Sequence, residues 1–279
     1  MRAESATPPY HYEKLRSSER SRIMLAEGGG PRAFTISLDR ATSWRRFLTR
    51  CLRGQVFRGD DDEQAGLSTL DAMTAVRLED HLYEVRRETR EALVSVSLDL
   101  GERREPSLRT SLAFFDHMLE MLCWYGGLTL DVTFEVRTQR LTHVICEDVG
   151  LAVGSAVLQG LRDRIEAGVE SVGAAHGAID EALAFAMLSF EGRAYCRVER
   201  QGAAANELVE DMLAADLVAF FEGFAHGARA TVRLQVLEAD DPHHAWEAAF
   251  RAFARALRGA LTPNAWRAGL TAGVKGTLD

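Results

Sequence analysis

A pair of residues that commonly bind metal ions occurs twice in this chain at the same helical spacing. His143 and Glu147 lie four residues apart at the start of a segment rich in small and aliphatic residues, and His243 and Glu247 repeat this 100 residues later. Residues at positions i and i+4 lie one above the other on a helix. Each pair is therefore predicted to place an imidazole and a carboxylate together at the N-terminal end of a helix.

The segments in front of the two pairs repeat as well. A β-like segment precedes each pair, at 128–136 and 230–237, and a helical segment with two adjacent phenylalanines precedes each of those, at 114–115 and 220–221. An order of helix, strand and helix that occurs twice predicts two similar halves, each too small to bury its own core well. We therefore expect an α+β fold with two pseudo-repeated halves.

Histidine and glutamate at this spacing are a suitable pair of ligands for zinc, manganese or iron. The alternative for each pair is a polar first turn that faces water, but two matching pairs favour two related metal sites near a pseudo-twofold axis. His244 is rotated by about 100° from His243 around a helix, so it must contact a different group. His117 lies in an apolar stretch, where a lone histidine is more often a core residue, but the two later pairs favour a ligand role.

The composition predicts a cytoplasmic protein. The chain has 279 residues, 47% of them hydrophobic, which is enough for one large domain or two small ones. Its net charge of -8 argues against a nucleic-acid partner. The four cysteines show no CxxC pairing, so we expect reduced thiols. The start lacks the apolar core of a signal peptide and no apolar run reaches 18 residues, so we expect no membrane span.

Residues 1–82 differ from the rest and are expected to form a partly disordered N-terminal extension. Residues 1–32 have the proline, glycine and charge content of a linker, and 70–82 is compatible with a short helix. Residues 43–58 predict a basic amphipathic helix, because their apolar side chains form one stripe with arginines around it. That helix either packs on its own domain or binds a partner protein or a membrane surface. The two pseudo-repeated halves then occupy 83–175 and 176–279.

From Arg87 to the C-terminus, the chain resembles the imidazoleglycerol-phosphate dehydratases of histidine biosynthesis. The resemblance runs in unbroken order through long and specific motifs. These motifs are Arg87-x-Thr89-x-Glu91, the run from Phe114 to Glu120, Glu147-Asp148-Val149-Gly150, Asp180-Glu181-Ala182-Leu183, Gly192-Arg193, the helix from His243 to Phe250, and Lys275-Gly276-x-Leu278.

The resemblance implies a fold, an assembly and a reaction. Each half is expected to contain a four-stranded sheet with helices on one face. The chain is expected to form a homo-oligomer, in which trimers assemble into a hollow 24-subunit particle with two manganese ions per active site bound between subunits. The implied reaction removes water from imidazoleglycerol phosphate and gives imidazoleacetol phosphate. Manganese bound to the imidazole would act as a Lewis acid, because the proton to be removed is poorly acidic.

The resemblance also implies two sets of metal ligands. One site would use His143, Glu147 and His244, and the other His117, His243 and Glu247. Each site of the family has a fourth histidine, and these two positions are Val144 and Arg233 in this chain. Valine cannot bind a metal, and a nearby guanidinium disfavours a cation. Each manganese site is therefore expected to lack one of its four protein ligands.

The remaining functional residues of the family are mostly retained. Proton transfer is assigned by resemblance to Glu91, Asp180 and Glu181, and phosphate binding to Arg193 and Lys275. For Asp180 and Glu181 the alternative is a pair of acidic residues that favours a helix N-terminus. One phosphate-binding arginine of the family corresponds to Ser171. Two functions stay open: a metal-dependent lyase with three-ligand sites, or a non-catalytic paralogue that keeps the oligomeric scaffold and binds or regulates a partner.

Overall fold

The chain divides into two compact units, residues 1–68 and 69–279. The computed structural model describes the following residues: 10–13, 20–25, 32–37, 72–200, 207–271, 273 and 276.

The N-terminal unit contains a small antiparallel sheet. Its strands pair in the order β1 (Tyr10–Glu13), β2 (Arg20–Leu25) and β3 (Arg32–Ser37). The expectation of a linker over residues 1–32 is therefore wrong for β1 and β2. Amino-acid composition alone does not reveal backbone hydrogen bonding between neighbouring segments. The basic helix expected at 43–58 lies outside the described residues.

The larger unit begins with a five-stranded sheet and two helices. In chain order its elements are β4 (Ala72–Glu79), β5 (Leu82–Glu88), β6 (Ala92–Asp99), β7 (Ser107–Arg109), α1 (Ala113–Gly126), β8 (Thr129–Val136) and α2 (Thr142–Arg162). The strand order is β4-β5-β6-β8-β7, and β7 alone pairs in parallel within this sheet.

The second half repeats this arrangement with four strands. Its elements are β9 (Val172–Ile179), β10 (Ala182–Ser189), β11 (Tyr195–Arg200), the short hairpin β12 (Leu208–Val209) and β13 (Met212–Leu213), α3 (Ala214–Ala228), β14 (Thr231–Glu238) and α4 (Pro242–Ala260). The order β11-β14-β10-β9, with β11 parallel to β14, matches β7-β8-β6-β5. The prediction of two pseudo-repeated α+β halves is therefore confirmed.

Strands β4 and β9 correct details of that prediction. The first sheet has five strands rather than four, because β4 pairs along the outer edge of β5. The segment 70–82 was expected to hold a short helix and to belong to the extension, but β4 occupies most of it. Its residues are largely exposed, and backbone pairing at a sheet edge requires no apolar face. The second half begins with β9 at Val172, so the boundary between 175 and 176 falls inside a strand.

The helices of the two halves share one core between the sheets. The first helix of each half packs against the second helix of the other, so that α1 contacts α4 and α2 contacts α3. Phe115 of α1, Phe220 of α3 and Phe250 of α4 form a continuous aromatic cluster, with ring centroids 5.4 Å apart in both contacts. Burying each of these rings stabilises the fold by about 1.5–3 kcal/mol. The halves therefore fold as one unit.

Four glycines bring α2 and α3 into backbone contact. They are Gly150 and Gly154 on α2, and Gly223 and Gly227 on α3. A Cβ added at any of them would lie only 2.1 to 2.3 Å from a backbone oxygen of the facing helix. Such a distance is far below van der Waals contact, so this close helix crossing requires glycine at all four positions.

Helix α2 is long and apolar enough to cross a membrane by length and composition. However, 78% of the apolar window is buried inside the fold. A mostly buried helix of this kind is typical of a protein core, so it is only weak evidence for a membrane span within the described residues.

Candidate active site

His117, His243 and Glu247 come together where α1 crosses the start of α4. Their nearest ligand-type atoms all lie within 4.8 Å of one another. The His243 Nε2 and Glu247 Oε2 atoms are 3.7 Å apart, and the two imidazole rings have centroids 5.9 Å apart. Two imidazole nitrogens and one carboxylate oxygen can bind a first-row divalent metal ion. The structure thus brings together the three residues that the resemblance predicts as ligands of one metal site, and we call them the α1–α4 group.

The start of α4 is fixed by its own sequence. Pro242 occupies the first turn, and the Asp241 carboxylate accepts a hydrogen bond from the His243 backbone N–H at 2.7 Å. Proline and an aspartate cap both favour a helix start at this point. This start places His243 in the first turn and Glu247 one turn further along the same face.

The start of α1 is fixed from outside the helix. Its N-cap residue, Leu112, has no capping side chain. Instead, the Asp211 carboxylate of the β12–β13 hairpin accepts hydrogen bonds from the backbone N–H groups of Ala113 at 2.9 Å and Phe114 at 3.2 Å. A residue of the second half therefore positions the helix that carries His117.

Three further side chains surround the α1–α4 group. The Glu210 Oε1 atom lies 2.9 Å from His243 Nδ1, and the Phe114 ring packs against the His243 ring with centroids 4.9 Å apart. Arg251 donates a hydrogen bond to Glu247, whose side chain is only 8% exposed. Arg251 also lies over the Tyr125 ring, with its guanidinium carbon 5.0 Å from the ring centroid. Both acidic and basic partners thus hold the candidate ligands in place.

Arg233 does not contact the α1–α4 group. Along β14, Val232 and Leu234 are buried against the helices, so Arg233 points to the opposite face of the sheet. There its Nη2 atom lies 3.8 Å from Glu199 Oε1. The expectation that the Arg233 guanidinium disfavours a metal ion at this group therefore has no geometric support within one chain.

The second predicted set of ligands is not assembled within one chain. His143 and Glu147 face each other, with Nε2 and Oε2 3.9 Å apart, but their side chains are 58% and 47% exposed. Asp216 on α3 contributes another carboxylate, 4.0 Å from His143 Nδ1. His244 does not join them, and among the described residues this pair belongs to no metal-ligand group of three or more.

His244 instead pairs with Glu181. The Glu181 carboxylate accepts hydrogen bonds from the Asp241 backbone N–H at 3.0 Å and lies 2.9 Å from His244 Nδ1. The Asp241 N–H, followed by His244, lowers the pKa of Glu181 to about 2, and Glu181 in turn raises the pKa of His244. A carboxyl group with so low a pKa stays ionised at neutral pH. Within one chain this favours Glu181 as a group that orients His244, and its role in proton transfer stays a prediction.

Asp180 lies beside this pair in a strained turn. Its φ of 44° is in the left-handed region, which is uncommon for residues other than glycine. Its side chain is 73% exposed, and its Oδ2 atom is 3.8 Å from His244 Nε2. Strain of this kind often accompanies functional sites, so the turn is compatible with the predicted catalytic role.

Glu91 lines an open depression on the first half. The depression is bounded by Arg87, Thr89, Arg90, Glu91, Val144, Glu147 and Asp148. A buried ion pair forms its floor, with Arg87 Nε donating to Asp148 Oδ1 at 3.1 Å. Glu91 and Glu147 therefore belong to one surface, although they come from different elements.

The predicted phosphate-binding residues are only partly described. Arg193 is 68% exposed in the β10–β11 loop and donates to Glu191 Oε2 at 2.7 Å. Gly273 lies next to the same glutamate, since a Cβ built there would be 3.5 Å from Glu191 Cγ. Lys275 lies outside the described residues. Ser171 is buried with a φ of 64°, so its own hydroxyl does not reach solvent within one chain.

Three residues of this region were not anticipated from the sequence: Glu210, Asp211 and Arg251. The Arg251 contact follows from its i+4 spacing to Glu247, which was a usable signal. Glu210 and Asp211 lie in a two-residue turn far along the chain from α1 and α4. No local pattern connects that turn to either helix.

The chain shares this architecture with enzymes that are named as dehydratases of a phosphate compound. The model of the imidazoleglycerol-phosphate dehydratase family matches residues 110–257. The Bacillus anthracis dehydratase is 34% identical over 192 residues, which cover 69% of this chain and 96% of the relative. The Polaromonas enzyme is 35% identical over 195 residues, which cover 70% and 93%. The Staphylococcus aureus crystal structure aligns with a TM-score of 0.56 at 26% identity, covering 66% of this chain and 99% of that one. This chain therefore belongs to the imidazoleglycerol-phosphate dehydratase family, which confirms the resemblance.

Proposed function

We propose that this chain is a metal-dependent hydro-lyase that dehydrates imidazoleglycerol phosphate, or a close imidazole phosphate, in the cytoplasm. The observation that carries this proposal is the α1–α4 group, in which two imidazoles and a nearly buried carboxylate converge within 4.8 Å. Three protein ligands leave coordination positions for substrate, as in catalytic metal sites generally. Manganese is the proposed ion, and when bound it would supply Lewis-acid stabilisation of charge on the imidazole.

The chain's own residues supply the remaining functions. Glu91 is the proposed proton-transfer residue, because its carboxylate lies in the depression that Glu147 also lines. Arg193 is the proposed phosphate ligand, because its guanidinium is exposed and held by Glu191. Glu181 orients His244 through its Nδ1 atom, and Asp180, which lies beside this pair, is a further proposed proton-transfer residue.

The second pair supports the proposal of a homo-oligomer. His143 and Glu147 are exposed and lack a third histidine, while His244 is held by Glu181 elsewhere on the chain. If a neighbouring copy brings its His244 to this pair, the second manganese site also has three protein ligands, like the α1–α4 group. We propose that active sites form between subunits of a trimer-based 24-subunit particle. Any partner protein of the N-terminal extension remains a separate proposal.

The competing function is a non-catalytic scaffold that regulates a catalytically active relative. The observation that favours it is the replacement of family residues by Val144, Arg233 and Ser171. Val144 lies in the depression next to Glu91 and Glu147, where a histidine would be able to reach a bound ion.

Metal content and turnover separate the two functions. Protein purified without chelator is analysed for manganese per subunit and assayed for dehydration of imidazoleglycerol phosphate, alongside His243→Ala and Glu91→Gln variants. The lyase should retain manganese and turn over, His243→Ala should lose the manganese of the α1–α4 group, and Glu91→Gln should lose turnover while retaining manganese. An intact oligomer without turnover, even with excess manganese, would refute the lyase and support the scaffold.

A further inference from the structure

Glu210 occupies a turn position whose backbone conformation is unfavourable for a glutamate. It is the first of the two residues that connect β12 and β13, and its φ of 53° lies in the left-handed region. Tight hairpin turns favour glycine at such a position, because a side chain adds steric strain there. Backbone strain of this kind clusters at functional sites, which points to a role for the Glu210 side chain.

The hairpin contacts both helices that carry the α1–α4 group. Glu210 Oε1 lies 2.9 Å from His243 Nδ1 on α4. The adjacent residue, Asp211, accepts hydrogen bonds from the backbone N–H groups of Ala113 and Phe114 at the start of α1. One two-residue turn therefore holds His243 directly and positions the helix of His117.

A carboxylate at His243 Nδ1 determines which nitrogen of the ring carries the proton. A neutral imidazole has one N–H donor and one acceptor nitrogen. With Nδ1–H donating to Glu210, the lone pair is on Nε2, the atom that lies 3.7 Å from Glu247 Oε2. Carboxylates that hold a ligating histidine in this way orient the ring and increase its basicity.

We propose that Glu210 is a positioning residue of the α1–α4 group, which fixes the tautomer and orientation of His243 for metal binding. The proposal rests on the function proposed above, since it concerns the same site. Glu210 itself is not among the three residues whose atoms converge. Its role is to hold His243 in the correct orientation and tautomer, and the strained turn keeps its carboxylate within hydrogen-bonding distance of His243 Nδ1.

Manganese titration of the full-length protein by calorimetry tests this role. Glu210→Gln and Glu210→Gly should each weaken manganese binding by about 10- to 100-fold, as loss of an outer partner of a ligand does. The melting temperature of Glu210→Gly should not fall, because glycine relieves the positive φ. A purely structural role predicts the opposite, a lower melting temperature with unchanged affinity. Glu120→Gln is the matched control, because Glu120 Oε2 lies 3.8 Å from His117 Nδ1, beyond hydrogen-bonding distance, and should leave the affinity unchanged.

A measurement on metal-free protein separates this proposal from the proposed function. Solid-state nitrogen-15 NMR of histidine-labelled protein should show an Nδ1-protonated histidine that the Glu210→Gly variant loses. If the unmodified chain binds no manganese, the proposed function fails, and this signal still decides whether Glu210 orients His243. Equal manganese affinities of the unmodified chain and both Glu210 variants would overturn the positioning role and leave the proposed function intact.

Discussion

The N-terminal ends of α2 and α4 carry the same histidine–glutamate pair but differ in what the crossing helix brings to it. At α4, His117 from α1 completes a group of three. At α2, the crossing helix is α3, and the residue that corresponds to His117 by its spacing from the paired phenylalanines is Gly223. A Cβ at Gly223 would lie 2.3 Å from the Glu147 backbone oxygen.

This difference shows that the i, i+4 spacing places two possible ligands side by side on one helix. Whether a third ligand joins them depends on how closely the neighbouring helix packs. The close α2–α3 crossing leaves no room for a histidine beside Glu147. The wider α1–α4 crossing accommodates one beside Glu247. The α2 end is therefore open, and in the proposed oligomer another subunit supplies its third ligand.

Removing the third ligand is the largest expected effect. His117→Ala should weaken manganese binding at the α1–α4 group by more than about 100-fold, since even the loss of an outer partner costs up to that factor. Calorimetric titration of the full chain measures it. His226→Ala is the control, because this exposed histidine lies in the last turn of α3. If His117→Ala leaves the manganese affinity unchanged, His117 is not a third ligand, and the N-terminal ends of α2 and α4 do not differ in this respect.

The close α2–α3 crossing should tolerate no added methyl group. Gly223→Ala is expected to destabilise the protein by about 1–3 kcal/mol, because the new Cβ meets backbone rather than a movable side chain. Denaturant unfolding measures this loss. Gly259→Ala on α4 is the matched control, because its Cβ would meet nothing closer than 3.6 Å. That variant should be more stable by about 0.5–1 kcal/mol, as alanine favours a helix. Equal effects of the two variants would contradict the described packing.

The α1 end depends on a cap supplied by the other half. Asp211→Ala should cost about 1 kcal/mol of stability, because it removes the side chain that accepts from the first two N–H groups of α1. Asp211→Asn keeps an acceptor oxygen and should lose less. Denaturant unfolding of both variants checks this order. If alanine and asparagine cost the same, the cap does not stabilise α1.

The sequence predicted the repeat because the pairs of aromatics, the β-like segments and the His–Glu spacing all recur in the same order. It also predicted that His117 joins His243 and Glu247, through the family resemblance rather than through local pattern. It did not predict β4, whose exposed residues give no periodic signal. Glu210 and Asp211 were missed for a different reason. Their contacts depend on how a turn in the second half meets α1 and α4, and such long-range contacts leave no trace in local spacing.

Strand β4 also bears on how the protein avoids aggregation. An uncovered sheet edge presents free N–H and C=O groups that pair readily with another chain. The first half covers β5 with β4. The equivalent strand of the second half, β9, ends its sheet, and there the carbonyl oxygens of His176 and Ala178 accept hydrogen bonds from Arg255 and Arg251 of α4. The two halves therefore use the same strand edge differently. In the first half an added strand pairs with it and becomes the new end of the sheet, and in the second two charged side chains donate to it.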